Sequence, residues 1–331
     1  MNNSAIPLKI ALHDSDSTRF PNLPLMKLSA YHKAKGDTVE RFLPLAAHTY
    51  DIVYASKVFS WTEEEPNLPR GTIRGGTGYS FSTNLPDAIE HIMPDYALYP
   101  AFQASLGFVT RGCIRTCPWC VVPKKEGAIR AHAELEEFLR PDCRDVVLMD
   151  NNILAHEHGI RQLERSITLG LRLDCNQGLD ARLIAADDAL AHLLSRVHWS
   201  KSIRLACDHK SQMPAVEAAV KAIRRHGDKQ YHFSCYVLVR DVDDALERVE
   251  FLRTLKVTPF AQPYREPGSK TEPAKSLRDF ARWVNHKAIF HTVPWAKYRR
   301  NAASAPATAM ADITACLRLL LNTGAKQHER P

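Results

Sequence analysis

From residue 106 onward the chain repeats one pattern: a short run of apolar and β-branched residues, then a stretch with apolar positions at helical spacing. Strands are expected at 106–111, 145–149, 171–175, 202–207, 232–239 and 257–262. Helices are expected at 134–139, 156–169, 187–196, 213–225 and 242–255. The last two carry end signals. Pro214 stands in the first turn of one and Gly227 just past its end, the usual asymmetry. Asp241 caps the other, whose Val242, Ala245, Leu246, Val249 and Leu252 share one face. Six strand–helix units at intervals of about thirty residues imply a parallel sheet with helices outside it. Six strands are too few to close an eight-stranded barrel, so an open, partial (β/α) barrel is expected, with its site at the C-terminal strand ends.

The chain before this region reads as a smaller Rossmann-like α/β unit. Its strands are expected at 8–12, 51–54 and 95–99, with a helix at 25–35 stopped by Gly36. A turn-rich stretch at 63–86 contains Gly75, Gly76 and Gly78, either a turn or a place where backbone approaches a cofactor. The expected division is an α/β domain at 1–100, the barrel at 101–265 and a helical region at 266–331. That last region has helices at 274–286 and 311–321 and a loop at 301–308. No apolar run approaches the ~20 residues of a membrane helix. The first residues lack the basic start and apolar core of a secretory signal, and a cytoplasmic, non-membrane protein is expected. Net charge is +7, compatible with a nucleic-acid or phosphorylated substrate and equally with a slightly basic soluble enzyme.

Three of the eight cysteines, Cys113, Cys117 and Cys120, share one loop directly after the first barrel strand. The spacing C-x3-C-x2-C provides three thiolates. They suit three irons of a [4Fe–4S] cluster, leaving the fourth iron open to a small molecule. A zinc site would need a fourth ligand, usually from a second close pair, and no second C-x2-C exists. Cys143, Cys175, Cys207, Cys235 and Cys316 stand alone and read as packing groups. At the other strand ends lie Asp150, Asn151 and Asn152, then Asn176, then Asp208, then Gln262 and Arg265. Alternation puts Arg204, Ala206 and Asp208 on one face, opposite Leu205 and Cys207. Arg204 is expected as a buried cation with Asp208 as its acceptor, either around a ligand or as an internal pair. Asp150 and Asn151 either touch a ligand or cap the following turn.

With these residues the chain resembles the radical S-adenosylmethionine superfamily. The resemblance covers about residues 105–265 and rests on the cysteine spacing, its place after the first of six strands, and Trp119 before the third cysteine. It implies that S-adenosylmethionine binds the open iron. An electron from the cluster, supplied by a flavodoxin or ferredoxin, then releases a 5′-deoxyadenosyl radical that abstracts hydrogen from the substrate. It also implies that Trp119 packs near cluster and adenine. Asp150 and Asn151 stand where the family holds the amino group, though the usual glycine- and glutamate-containing motif is absent. Asn176, Arg204 and Asp208 match positions that hold the carboxylate or ribose. The first unit is similar to the cobalamin-binding-type domain of several such enzymes, without the Asp-x-His-x-x-Gly signature.

Methylthiotransferases of the superfamily need further cysteines early in the chain, and residues 1–112 have none. Auxiliary-cluster subfamilies need several late ones, and only Cys316 is available. A cobalamin-assisted methyl transfer and a nucleoside or nucleic-acid modification stay open. So does a different class, a non-catalytic iron–sulfur or zinc protein that senses redox state. The stretch with Trp283, Trp295, Tyr298, Arg299 and Arg300 is read as a packed amphipathic helix with a solvated end rather than a nucleic-acid contact.

Overall fold

Apolar strands with one strong helix build the first unit. A computed structural model describes residues 6–227 and 232–298. Strands β1 (Lys9–Asp14), β2 (Thr38–Arg41), β3 (Ile52–Ser56) and β4 (Ile73–Gly75) form a parallel sheet in the order β2-β1-β3-β4. Helix α1 (Leu23–Ala34) packs on it through Leu25 and Leu28, against Ile10 and Leu12. Asn22 caps its start and Pro24 fits its first turn. Gly36, at φ +87°, reverses the chain after it.

The strand expected at 95–99 is instead a short 3-10 turn, Tyr96–Leu98. Asp95 is the physical reason. Its carboxylate accepts from the Ala97 N–H at 3.1 Å and from the Ser29 hydroxyl at 2.6 Å, which bends the backbone locally. The strands β2 and β4, too short to stand out in the sequence, complete the sheet.

All six strands expected from the repeat are present. They are β5 (Ser105–Gly107), β6 (Asp145–Leu148), β7 (Arg172–Cys175), β8 (Ile203–Ala206), β9 (Phe233–Val239) and β10 (Thr258–Pro263). The parallel set β5-β6-β7 and the parallel set β8-β9-β10 are joined by a parallel bridge between Leu179 and Leu205. The two-residue strand His198–Trp199 pairs with the edge of β7. The chain is therefore α/β, with parallel sheets and helices between successive strands. The first strand ends earlier than expected. Thr110–Arg111 leaves the sheet and pairs antiparallel with Arg130–Ala131.

Helices follow each strand closely where expected: α2 (Glu157–Thr168), α5 (Met213–His226), α6 (Val242–Thr254) and α7 (Lys275–Asn285). The helix expected at 187–196 is present as α4 (Asp188–Arg196), capped by Asp187, and it is preceded by a further short helix, α3 (Ala181–Ala186), capped by Asp180. The segment expected as a helix at 134–139 is only a 3-10 turn, Leu135–Glu137.

Burial alternates along the strands. Phe233, Cys235, Val237 and Val239 are buried while Ser234, Tyr236 and Leu238 are half-buried. The buried set joins Ile203 and Leu205 and the helices in the main core. The other face of β5 and β6, carrying Leu106 and Val147, packs against Leu23 of α1. Cys175, Cys207 and Cys235 are buried in that core, and burial pushes all three thiols up, Cys207 to about 12. They pack as small apolar groups.

Trp283 is fully buried and meets Phe280, Phe290 and Trp295 at 5.0–5.6 Å, with its indole N–H on the Val293 carbonyl at 2.8 Å. The aromatic stretch is thus a packed cluster around α7 and α8 (Lys287–Thr292). Arg299, Arg300, the 301–308 loop, the 311–321 helix and Cys316 lie outside the described residues. No helix among the described residues is long and apolar enough to cross a membrane.

Candidate cofactor site at the cysteine loop

The loop that carries the cysteines is fixed at both ends by its neighbours. Asp150, at the end of β6, is fully inside the protein at 4% exposure. Its carboxylate accepts the Val109 N–H, the Thr110 N–H and the Thr110 hydroxyl. Burial pushes the Asp150 carboxyl up to about 6, against the pull of those donors. Both oxygens are thus engaged by the loop's entry strand, and Asp150 positions the loop rather than facing open space.

Gly112 makes the next turn. Its φ is +84°, and a Cβ there would lie 2.2 Å from the Ala128 carbonyl oxygen. Only glycine fits. Glu126 then ties the loop together, accepting the Gly112 N–H at 2.8 Å and the Asn151 amide at 2.9 Å, with Arg111 at 3.4 Å. Asn151 is therefore a brace on the loop.

Two of the three sulfurs receive N–H donors. The Cys113 Sγ accepts from the Arg115 N–H at 3.3 Å and from the Asn152 amide at 3.5 Å. The Cys120 Sγ accepts from the Val122 N–H at 3.5 Å. Such donors favour a thiolate and tune a bound cluster. Burial raises both Cys117 and Cys120, and the neighbouring cysteines add to the rise; Arg182 draws Cys117 back down and the Val122 N–H does the same for Cys120.

Asp180 anchors the far side. It caps α3 and accepts from Arg182 Nε at 2.7 Å, Arg115 Nε at 2.9 Å and the Asn152 amide at 3.4 Å. Those two ion pairs hold its own carboxyl low in spite of burial, which acts the other way. Among the described residues, no three His, Cys, Asp or Glu side chains close on one point as the ligands of a single ion do.

The other expected residues divide into two groups. Asp208 faces the loop, within electrostatic reach of Cys117, Cys120, Arg182 and Arg240. It accepts the Leu238 N–H at 3.0 Å, and burial pushes its carboxyl up. Trp119 sits in the loop with the Arg240 guanidinium over its ring at 4.5 Å.

Arg204 and Asn176 belong to a separate network. Arg204 donates to Asp174 at 2.9 Å and to the Tyr236 hydroxyl at 2.9 Å, and Tyr236 donates to the Asn176 carbonyl at 2.7 Å. The expected Arg204–Asp208 pair is thus replaced by Arg204–Asp174. The Leu179–Leu205 bridge joins the two parallel sets where Asp174 on β7 meets Arg204 on β8, whereas Asp208 lies past the end of β8, where the Leu238 N–H occupies it.

Several residues of the site were not singled out by sequence. Asp174, Asp180 and Glu126 are polar groups in or beside apolar runs, and the one legible signal was a helix-cap position for Asp180. Among the described residues, five buried side-chain polar atoms have no hydrogen-bond partner: Asn152 Oδ1, Asp174 Oδ1, Arg204 Nε, Arg253 Nε and Arg265 Nη1.

No protein-family model matches the chain. No curated protein matches it either.

Proposed function

We propose that this chain is a radical S-adenosylmethionine enzyme. In this reading the six parallel strands form a partial (β/α) barrel, the first hundred residues a Rossmann-like accessory domain and the residues from 266 a helical extension. The observation that carries the reading is the loop itself: Cys113, Cys117 and Cys120 lie at the end of the first of six sequential parallel strands, with N–H donors on two sulfurs. Those three cysteines would hold a [4Fe–4S] cluster. When bound, such a cluster supplies the electron that cleaves S-adenosylmethionine and so initiates hydrogen-atom abstraction from a substrate.

The chain's own residues do the rest. Asp150, Gly112 and Glu126 fix the loop's path. Asn152 and the Arg115 N–H lower the electron density on the Cys113 sulfur. Asp180 holds Arg115 and Arg182 beside the thiols. Asp208 offers an acceptor on the same side, and Arg204 Nε with Asp174 Oδ1 offers a donor and an acceptor that a polar ligand satisfies. Trp119 supplies a ring surface next to the third cysteine. A flavodoxin or ferredoxin supplies the reducing electron.

Cobalamin is not part of the reading. The loops at the C-terminal edge of the first sheet close on one another: Asp16 accepts the Val58 N–H and the Thr62 hydroxyl, each at 2.6 Å. Gly76 and Gly78 press against the backbone of Lys57 and Phe59, where a Cβ would come within 2.4–2.7 Å. The glycine stretch is a packed turn.

The test is anaerobic reconstitution with iron and sulfide, then dithionite and S-adenosylmethionine. Formation of 5′-deoxyadenosine, lost in Cys113→Ser, Cys117→Ser and Cys120→Ser, is the expected result. A cluster that never cleaves S-adenosylmethionine under several reductants refutes catalysis and leaves a redox sensor.

A further inference from the structure

A hydrogen-bonded turn holds two of the three clustered cysteines together. Pro118 and Trp119 are its central residues, and the Cys120 N–H donates to the Cys117 carbonyl at 3.0 Å. Proline suits the first central position because its ring presets φ, and such a turn keeps its outer Cα atoms within about 7 Å. A disulfide asks for Cα atoms about 4.4–6.8 Å apart. The backbone of Cys117-Pro118-Trp119-Cys120 therefore already meets the first requirement for closing a bond between its ends.

Cys113 is fixed by other contacts. Its N–H donates to the Gly127 carbonyl at 3.2 Å, and its Sγ accepts from the Arg115 N–H at 3.3 Å and the Asn152 amide at 3.5 Å. These tie it to the exit side of the loop and to the end of β6 rather than to the turn.

The turn is open to small thiols. Cys117 and Cys120 are half-buried free thiols, and their neighbours Thr116 and Pro118 are exposed. The exposed Arg240 lays its guanidinium over the Trp119 ring at 4.5 Å, a positive charge that favours approach of an anionic disulfide such as oxidised glutathione. Cys175, Cys207 and Cys235 are buried in the core, where exchange does not reach them.

We propose that Cys117 and Cys120 form a reversible disulfide, a redox modification site that closes the loop to iron. The oxidant is a small disulfide of the glutathione class. One protein thiol, as its thiolate, attacks that disulfide and releases one glutathione; the second attacks the mixed disulfide and releases the other. Two protein thiols become one disulfide, and the oxidant is reduced to two glutathione molecules that take up the two protons. Cys113 is then the one thiol of the loop left to bind iron, too few for a cluster. The bond needs nothing from the proposed function, but its effect on cluster loading rests on that reading.

The experiment uses the full chain, stripped of metal and reduced. It is equilibrated anaerobically with glutathione buffers of rising disulfide content, blocked with N-ethylmaleimide and digested with trypsin. Cleavage after Arg111, Arg115 and Lys124 puts Cys113 on the peptide 112–115 and both Cys117 and Cys120 on the peptide 116–124. The expected product is the second peptide, unlabelled and lighter by two hydrogens, growing with the disulfide content of the buffer. Iron bound on reconstitution without added thiol should fall in parallel, to background at full oxidation, and return after dithiothreitol. Pro118→Gly keeps all three thiols but loosens the turn, and should raise the glutathione disulfide needed for half-oxidation about threefold. Cys113→Ser should form the bond as readily as wild type.

A link between the two peptides, a glutathione adduct with no internal bond, or free thiols in every buffer overturns the proposal. So does iron uptake that stays constant once the internal bond has formed, or a chain that unfolds on oxidation by circular dichroism. If the bond forms but the reduced, loaded chain never cleaves S-adenosylmethionine, the catalytic reading alone fails. If cleavage occurs in a chain whose thiols never pair, this inference alone fails.

Discussion

Replacing Asp150 by asparagine tests how the cysteine loop is held. Asp150 is fully buried, and its carboxyl titrates at about 6 in the folded chain against an ordinary value of 3.8. The folded value is raised, so the unfolded chain releases its proton first as pH rises. Stability from this group is therefore full below the unfolded value and declines as pH climbs through 6. About two units at 1.36 kcal/mol each give a total of about 3 kcal/mol. Roughly 2 kcal/mol of that falls between about pH 4.5 and about pH 7.5.

The amide of the variant has no such titration. The stability of wild type minus that of Asp150→Asn, from urea unfolding under anaerobic, reducing conditions, should therefore shrink by about 2 kcal/mol over that interval. Taking the difference cancels the other titrating groups. The variant should also lose iron-binding capacity, because its amide NH2 would oppose the Val109 and Thr110 donors. A difference that stays flat or grows with pH would show that the Thr110 and Val109 donors outweigh burial, and the reasoning would fail.

Gly112→Ala should cost about 1–2 kcal/mol from the left-handed backbone alone. It must also displace the Ala128 carbonyl; thermal unfolding and iron stoichiometry would both show the loss, and a fully loaded, equally stable variant would contradict it. Asn152→Ala removes a donor from the Cys113 sulfur, so the reduction potential of a bound cluster should fall by something on the order of tens of millivolts, measured by redox titration followed by electron paramagnetic resonance. An unchanged potential would count against that contact. Glu90 joins the two units, paired with Lys27 and His132 at 3.1 Å each. Burial alone would raise it, but the His132 hydrogen bond and the Lys27 charge hold it at about 2. Its stabilisation is present above the ordinary 4.5 and lost as pH falls toward 2. The gain is at most about 3 kcal/mol, less the cost of keeping Lys27 charged, since burial pushes its ammonium down. Acid unfolding of Glu90→Gln should accordingly be less steep over that range, and an identical acid limb would refute the role.

Local periodicity made the parallel core legible. Val237 and Val239 alternate with Tyr236 and Leu238, and the helices beginning at Met213 and Val242 announce themselves by Pro214 and Asp241. The three clustered thiols were equally plain, because a chelating motif is a short-range pattern. Sequence alone therefore determined the strand–helix order and the kind of atoms at the first strand's end. Asp95 shows where it failed: one side chain that bonds its own backbone converts an apolar stretch from strand to turn. Tertiary structure alone decided which polar groups meet. Asp174 meets Arg204 because the Leu179–Leu205 bridge joins the two parallel sets there, while Asp150 turns inward to Thr110 across forty residues. Contacts of that kind depend on strand neighbours and on burial, which lie far apart along the chain and leave no periodic trace in it.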